Sequence, residues 1–407
     1  MEMEEKVRIG VLGLRRGTSF IRSALELGEW AEVTAVCDLD GRAIDRAREL
    51  VPGASAYTSY GDMLEGDIDA VVLCNYCPDH APAAVEAMEA GKHVLSEVIA
   101  CHTLAEGVEL ARTVERTGMT YMYGENYPYM AATQEMRRLY EAGALGQFRY
   151  GEGEYVHFSR DILHRLVNGP GHWRMWFPPT YYCTHSLGPL LRITGLRPLK
   201  VAGAAVPGTR HGWTGEWRSD YGIEMVRLEN GALVKSLHGG GCPREPWSPW
   251  YVVYGTSGVI ENRRWPDYGE VTLYTDGMEG PDTYKAGFRE LGDLALRSGH
   301  GGGDLFVTYE FLRAIRTGER PDIDVYMGLD MTIPGILAWR SSLSGGGFLE
   351  VPDMRVESVR REYEDDHYSP RPGTPEKYAL PNTLNGVREP PDELLEEIAK
   401  RQETEPY

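Results

Sequence analysis

Apolar and polar positions change period repeatedly along the first 125 residues, and each change marks an element. "VRIGVLG" at 7 to 13 is a continuous apolar run ending in glycine, the pattern of a strand buried on both faces. "TSFIRSALELG" follows with helical spacing, then "EVTAVCDLD" as a second strand. The alternation continues with a helix at "GRAIDRAREL", a strand at "DAVVLCN", a helix at "HAPAAVEAMEAG", a strand at "HVLSE", a helix at "TLAEGVELARTVERTG" and a strand at "TYMYGEN". Strands alternating with helices of this length predict an α/β fold with a doubly wound parallel sheet over residues 1–125.

Beyond about residue 145 the texture turns to strand-like segments rich in glycine and aromatic residues: "QFRYGEGEYVHF", "PLKVAGAAV", "YGIEMVRLENGALVKSLHG", "PWYVVYGTSGVIENRR" and "GEVTLYTDG". "ENGA" at 229 to 232 is a hairpin signal, and a helix enters near residue 184. A second, α+β domain with a largely antiparallel sheet and helices on one face is therefore expected over 126–355. Helices at 304–317 and 326–341 are expected to pack back on the first domain. Residues 356–407 read as an acidic, Pro-rich tail with a short charged helix at 391–402, free to wrap over its own domain or a neighbouring subunit.

Composition narrows the partners. A chain of 407 residues with 42% hydrophobic residues can bury two ordinary cores. A formal net charge of −19 argues against a nucleic-acid or anionic-membrane partner and favours a small molecule. The opening "MEMEEKVRIGVLG" has neither the basic start nor the long apolar core of a signal peptide, and no run of 18 apolar residues follows. Six cysteines in so long a chain do not make a disulfide scaffold, so a reduced cytoplasmic setting is expected. "CNYC" at Cys74 and Cys77 is a lone pair in a strand-end loop.

The turn after the first strand reads Gly10-Val11-Leu12-Gly13-Leu14-Arg15-Arg16-Gly17. A dinucleotide fingerprint wants glycine where Arg15 stands. The turn nevertheless follows a strand, opens a helix, and is succeeded by Asp38 at the end of the second strand, placed to accept ribose hydroxyls. Leu39 follows that acid in place of an arginine, which favours NAD over NADP. Further chemistry gathers at element ends: Glu97 after the fourth expected strand, Glu125 and Asn126 after the fifth, and Tyr155 and His157 on one face of a strand. Tyr182, Thr184 and His185 stand at a helix start, and His300 with Asp304 in "HGGGD", where Asp304 could also be a simple helix N-cap.

The order "VRIGVLGL", "VCDLD", "AGKHVLSE", "GENY", "GALG" resembles the glucose–fructose oxidoreductase, inositol dehydrogenase and rhizopine-catabolism (Gfo/Idh/MocA) family over residues 6 to 350. "HVLSEV", "GENYPY", "GEYVH", "YYCTHSLGPL", "HGGGD" and "DIDVYMG" resemble its branch of NAD-dependent glycosidases, glycoside hydrolase family 109. That branch has Glu-Val, here Glu97-Val98, where the dehydrogenases have Glu-Lys-Pro. The resemblance implies a Rossmann domain, NAD held tightly and recycled, a glycoside or other sugar as ligand, and a homo-oligomer. Expected cofactor contacts are Gly13, Leu14, Arg15, Arg16, Asp38, Asn75, His80, Glu97 and Asn126; expected substrate contacts are Trp173, Arg174, Thr184, His300 and Asp304.

The implied route is oxidation at sugar C3, removal of the acidified C2 proton, loss of the C1 substituent, water addition and re-reduction. It needs bases at the C3 hydroxyl and at C2 and an acid for the leaving oxygen, not the usual carboxylate pair. Expected catalytic residues are His185 with Tyr182 for C3, Tyr155 for C2 or the leaving group, and Glu125 with His157 for orientation. Alternatively Glu125, His157 and His185 could hold a divalent metal such as Mn that polarises the C3 oxygen, with His300 and Asp304 as further ligands. Aromatic residues at 173–182 and in "PREPWSPWY" at 243–251 could stack on sugar faces. Two other readings use the same fold: an NAD-dependent sugar or cyclitol dehydrogenase, disfavoured by Val98, and a non-catalytic NAD or sugar sensor.

Overall fold

Each apolar run becomes a strand and each periodic segment a helix in the computed structural model, which describes residues 5–167, 169, 171–209, 215–244, 247, 249–265, 267 and 269–404. The first elements are β1 (Val7–Leu12), α1 (Leu14–Glu26), β2 (Ala31–Cys37), α2 (Gly41–Leu50), β3 (Ser55–Tyr57), α3 (Tyr60–Leu64), β4 (Ala70–Leu73), α4 (His80–Glu89), β5 (His93–Ser96), α5 (Leu104–Thr117) and β6 (Tyr121–Tyr123). Then come α6 (Ala131–Glu141), β7 (Phe148–Val156), α7 (Leu163–Leu166), α8 (Thr184–Thr194), β8 (Pro198–Pro207), β9 (Ser219–Leu228), β10 (Leu233–Gly239), β11 (Trp250–Gly255), β12 (Gly258–Asn262), β13 (Glu270–Thr275) and β14 (Asp282–Lys285). The chain closes with α9 (Gly292–Ala295), α10 (Gly303–Thr317), α11 (Val325–Leu343), β15 (Leu349–Glu350), α12 (Glu357–Tyr363) and α13 (Asp392–Thr404).

Two compact units result. The first holds Met1–Gln134, Gly287–Leu329 and Asp353–Glu364; the second holds Glu135–Ala286, Asp330–Pro352 and Asp365–Tyr407. The helices α9 and α10 thus belong to the first unit, α11 runs from the first into the second, and the tail is shared between them.

The first unit is a parallel sheet in the order β3-β2-β1-β4-β5-β6, the Rossmann arrangement. It has one strand more than the apolar runs predict, because β3 is a three-residue, solvent-facing edge with no apolar run to announce it. The strand order, not the strand direction, reverses between β1 and β4, the place where such sheets open a crevice. Local sequence supports the helices: Thr103 and Glu106 form a capping box on α5, which ends in left-handed Gly118.

The second unit is a nine-stranded sheet in the order β14-β13-β12-β11-β7-β10-β9-β8-β15. Every pairing is antiparallel except β7 with β10. The hairpin at 229–232 joins β9 to β10, with Asn230 Oδ1 accepting from Ala232 N at 2.9 Å. One face carries α8: a Cβ at Gly153 of β7 would lie 1.8 Å from Ser186 O, so only glycine lets that helix backbone rest on the strand. The tail helix α13 packs on α7, and Ile398 joins Leu163, Val167, Met175 and Trp217 in a small core of its own. Among the described residues, no helix is long and apolar enough to cross a membrane.

Candidate functional site

In the first unit, Gly13 leaves β1 at φ 84°, and a Cβ there would fall 2.3 Å from Cys74 O, which brings the two loops at the crevice together. Asp38 Oδ2 accepts from Leu14 N at 2.7 Å and Oδ1 from Asp40 N at 2.9 Å, leaving each oxygen a further lone pair. Leu39, beyond it, is 92% exposed. Asn75 Oδ1 and Asn126 Oδ1, in the loops after β4 and β6, are buried acceptors with no hydrogen-bond partner. Such acceptors are costly when left bare, and the hydroxyl and carboxamide donors of NAD would satisfy them. The residues present fit that cofactor. His80 is buried with Nδ1 3.2 Å from Ile99 O and Nε2 3.1 Å from Asn75 O, which seats the ring against the Asn75 loop, and burial lowers its pKa.

Arg16 sits at the centre of the crevice's charges. Its Nε donates to Glu97 Oε1 at 2.5 Å, and its Nη1 and Nη2 grip Asp304 at 2.8 and 2.7 Å. Burial opposes the Arg16 charge, but Glu97 and Asp304 outweigh it and hold its pKa well above the usual value. Burial likewise opposes the Asp304 carboxylate, yet Arg16 and then His300 keep it well below the usual range. Asn126 Nδ2 donates to Asp304 Oδ1 at 3.0 Å, and His300 Nδ1 lies 2.9 Å from Asp304 Oδ2. Asp304 is therefore not a helix N-cap. That position is Gly302, and Asp304 in the first turn of α10 anchors Arg16 instead. Cys74 and Cys77 form no disulfide, and burial, then Glu97, push the Cys74 thiol well above its usual range.

In the second unit, Tyr155 is the hub. Its ring centroid lies 4.7 Å from His185, 5.9 Å from His157 and 6.4 Å from Tyr182. Tyr182 meets His185 edge-on at 4.8 Å. The cause is the same face of the sheet: Gly153 lies under α8, and where that helix begins, Tyr155 and His157 emerge beside its first residues. Tyr251 Oη donates to His185 O at 2.6 Å, fixing that corner. Thr184 is buried in the first turn of α8.

The sequence reading missed His238, on β10 opposite Tyr155 in the parallel pairing. Its ring stacks on Tyr155 at 5.3 Å with a 6° interplanar angle, and its buried Nδ1 has no hydrogen-bond partner. Burial, then His185, Arg218 and His157, hold its pKa well below the usual value, so it is neutral. Arg218 and Asp220, at the start of β9, were missed as well. Together with Tyr155, His157, Trp173, Arg174, Tyr182 and His238 they line a cavity of about 510 Å³, its open mouth included. Trp173 stacks on Tyr182 at 5.4 Å and carries the Arg174 guanidinium at 4.2 Å from its ring. Trp176, Phe177 and Tyr181 of the same aromatic stretch are buried. In the second aromatic stretch Trp247 stands edge-on to Tyr155 at 6.0 Å, while 245, 246 and 248 lie outside the described residues.

The expected metal set is not assembled. Among the described residues no three His, Cys, Asp or Glu side chains are grouped to hold an ion. Glu125 belongs to the first unit, wholly buried, with Oε1 accepting from Tyr127 N at 3.2 Å, whereas His157 and His185 belong to the second. Asp304 is already committed to Arg16.

Residues 7–125 match the oxidoreductase family with an NAD-binding Rossmann fold, Gfo/Idh/MocA, and residues 216–359 match the C-terminal domain of glycosyl hydrolase 109. A glycosyl hydrolase family 109 protein of Saccharopolyspora erythraea is 30% identical over 400 residues, covering 87% of this chain and 84% of that protein. An alpha-N-acetylgalactosaminidase of Shewanella oneidensis is 28% identical, covering 86% of this chain and 85% of its own length. The fold is that of levoglucosan dehydrogenase in complex with NADH, at a TM-score of 0.75 and 17% identity over 86% of this chain and 100% of that one. The chain belongs to glycosyl hydrolase family 109 and carries the NAD-binding Rossmann fold of the Gfo/Idh/MocA oxidoreductases.

Proposed function

We propose that this chain is an NAD-dependent glycoside hydrolase that works by transient oxidation at C3, elimination of the C1 substituent, water addition and re-reduction. The observation that carries the reading is the grouping of Tyr155, Tyr182 and His238 on one cavity with the His185 ring packed against both tyrosines, four groups able to hold or move a proton. Bound NAD supplies a reversible two-electron acceptor at C3, so hydrolysis proceeds without net oxidation. Gly13, Asp38, Asn75 and Asn126 would hold it.

His185 accepts the C3 hydroxyl proton, steadied by Tyr182 at its edge. The resulting ketone acidifies C2, and Tyr155, as phenolate, takes that proton and passes it to the C1 oxygen as the aglycone leaves. Water adds at C1, its proton going to Tyr155 and on to C2, and His185 returns its own proton when C3 is reduced. Arg174 on its Trp173 platform grips a sugar oxygen. Each proton transfer of this kind contributes on the order of 10²–10⁴ in rate. The name of the Shewanella oneidensis relative supports a glycosidase over a dehydrogenase.

The test is to incubate the purified protein, without added NAD, with aryl glycosides in deuterated water. Aglycone release with deuterium at C2 is the expected result. Release without exchange would overturn the elimination route, and net NAD reduction by a free sugar would assign a dehydrogenase instead.

A further inference from the structure

Among the described residues, the cavity around Tyr155 is lined by two guanidiniums and a single carboxylate, in a chain whose net charge is −19. Arg174 lies over Trp173 at 4.2 Å and faces Tyr182 at 6.0 Å. Arg218 Nη1 donates only a long hydrogen bond, 3.4 Å, to Arg174 O. Neither guanidinium forms an ion pair among the described residues, although arginines elsewhere in the chain pair readily with its many acids. Burial and then Arg174 push Arg218 down to about 10, which places the two cations close enough to oppose each other. His238, stacked on Tyr155 in the same cavity, is neutral and offsets nothing. Asp220 compensates one of the two charges, so the described lining keeps a positive excess.

A sugar bearing only hydroxyls could accept hydrogen bonds here but could not remove the repulsion. A planar or tetrahedral anion can, since a guanidinium fork matches carboxylate and sulfate oxygens two at a time. We propose that the substrate of this site is an anionic sugar, one with a carboxylate or sulfate on the ring that bridges Arg174 and Arg218. The aromatic floor of Trp173 and Tyr182 would carry the ring's apolar face. The proposal rests on the cavity being the glycoside site proposed above, yet it concerns recognition and is read out by binding alone.

The experiment titrates the full-length protein with matched methyl glycosides, neutral, hexuronic and 6-sulfated, at low and at moderate salt. At least one anionic glycoside is expected to bind tenfold or more tightly than its neutral partner, with an advantage that shrinks as salt rises. A preference for the uronide assigns a carboxylate, and a preference for the sulfated sugar assigns a sulfate. Arg218→Gln should bring the anionic-to-neutral affinity ratio close to one, and Arg218→Lys should restore it only in part. Equal binding of neutral and anionic glycosides by the natural protein would overturn the proposal, whatever the variants do. Preferential binding of an anion with no cleavage of it would sink the glycosidase reading and leave this one standing; cleavage of neutral glycosides alone would do the reverse.

Discussion

Glu224 on β9 is a carboxyl where a carboxylate should not survive. It is 0% exposed, neither oxygen has a hydrogen-bond partner, and its register neighbour Ser236 has its hydroxyl turned to Ser186 Oγ at 2.8 Å. Burial raises its pKa from 4.5 to about 8, with Ser236 opposing only in part. Between those values the folded protein keeps a proton that the unfolded chain has released. Stability contributed by this group is therefore complete below pH 4.5 and falls by about 1.36 kcal/mol per pH unit until pH 8. Across the whole window that is on the order of 5 kcal/mol, an upper bound because partial opening admits water. Glu224→Gln keeps the shape and removes the ionisation, while its amide adds donors whose burial costs about 1–3 kcal/mol. The variant should then match or fall slightly below the natural protein at pH 5 and exceed it by a few kcal/mol at pH 8. Urea unfolding of both proteins at half-unit steps between pH 5 and 8 measures the difference, in which all other titrations cancel. A difference that stays flat across that range would refute a neutral Glu224.

Tyr155→Phe should lower aryl glycoside cleavage by about 10²–10⁴ and abolish C2 exchange while NAD binding, followed by fluorescence, is unchanged; a loss below tenfold would remove Tyr155 from the chemistry. Gly13→Ala places a methyl 2.3 Å from Cys74 O at φ 84° and should weaken NAD binding tenfold or more, whereas Gly41→Ala, with nothing within 4 Å, serves as the neutral control. Ile398→Ala empties the small core beneath the tail helix and should cost about 2–4 kcal/mol in urea unfolding; a cost under about 1 kcal/mol would mean that α13 is not docked. Val98→Lys, at a position 2% exposed, should yield no sustained NADH absorbance with free sugars, and steady turnover from it would contradict the proposed assignment of the proton transfers to Tyr155 and His185.

How far the sequence could be read depends on whether the signal was local. Gly13, Asp38 and the alternation of strands and helices announce the Rossmann unit, because turn chemistry and apolar period act over a few residues. Tyr155 and His157 could be assigned to one face by alternation alone, and the hairpin at 229–232 by its turn residues. What stayed hidden depends on distance along the chain. Asp304 looks like an N-cap until Arg16, 288 residues earlier, is seen holding it. His238 lies in an ordinary strand pattern, "VKSLHG", and becomes part of the site only because β10 pairs in parallel with β7, a register no local period specifies. Arg218 and Asp220 precede or open a strand whose neighbours are set by that same pairing. Two of the three residues of β3 are exposed and Tyr57 is only partly buried, so the strand leaves no apolar run in the pattern.

Val98 takes on a clearer meaning beside Arg16. A lysine following Glu97 would supply both a positive charge and a titratable amine. Arg16, reaching from the glycine turn, supplies the charge, with its Nε on Glu97 and its fork on Asp304. It cannot supply the proton, because a guanidinium stays charged throughout the working pH range and has no lone pair to offer. The crevice of the first unit is thus electrostatically complete and without a base at that position. The neutral imidazole of His238 and the phenols of Tyr155 and Tyr182 stand in the second unit on a cavity whose described lining has a positive excess, with the ring of His185 against both phenols. A division of that kind suits a reaction in which electrons leave and return at one carbon while protons move at its neighbours.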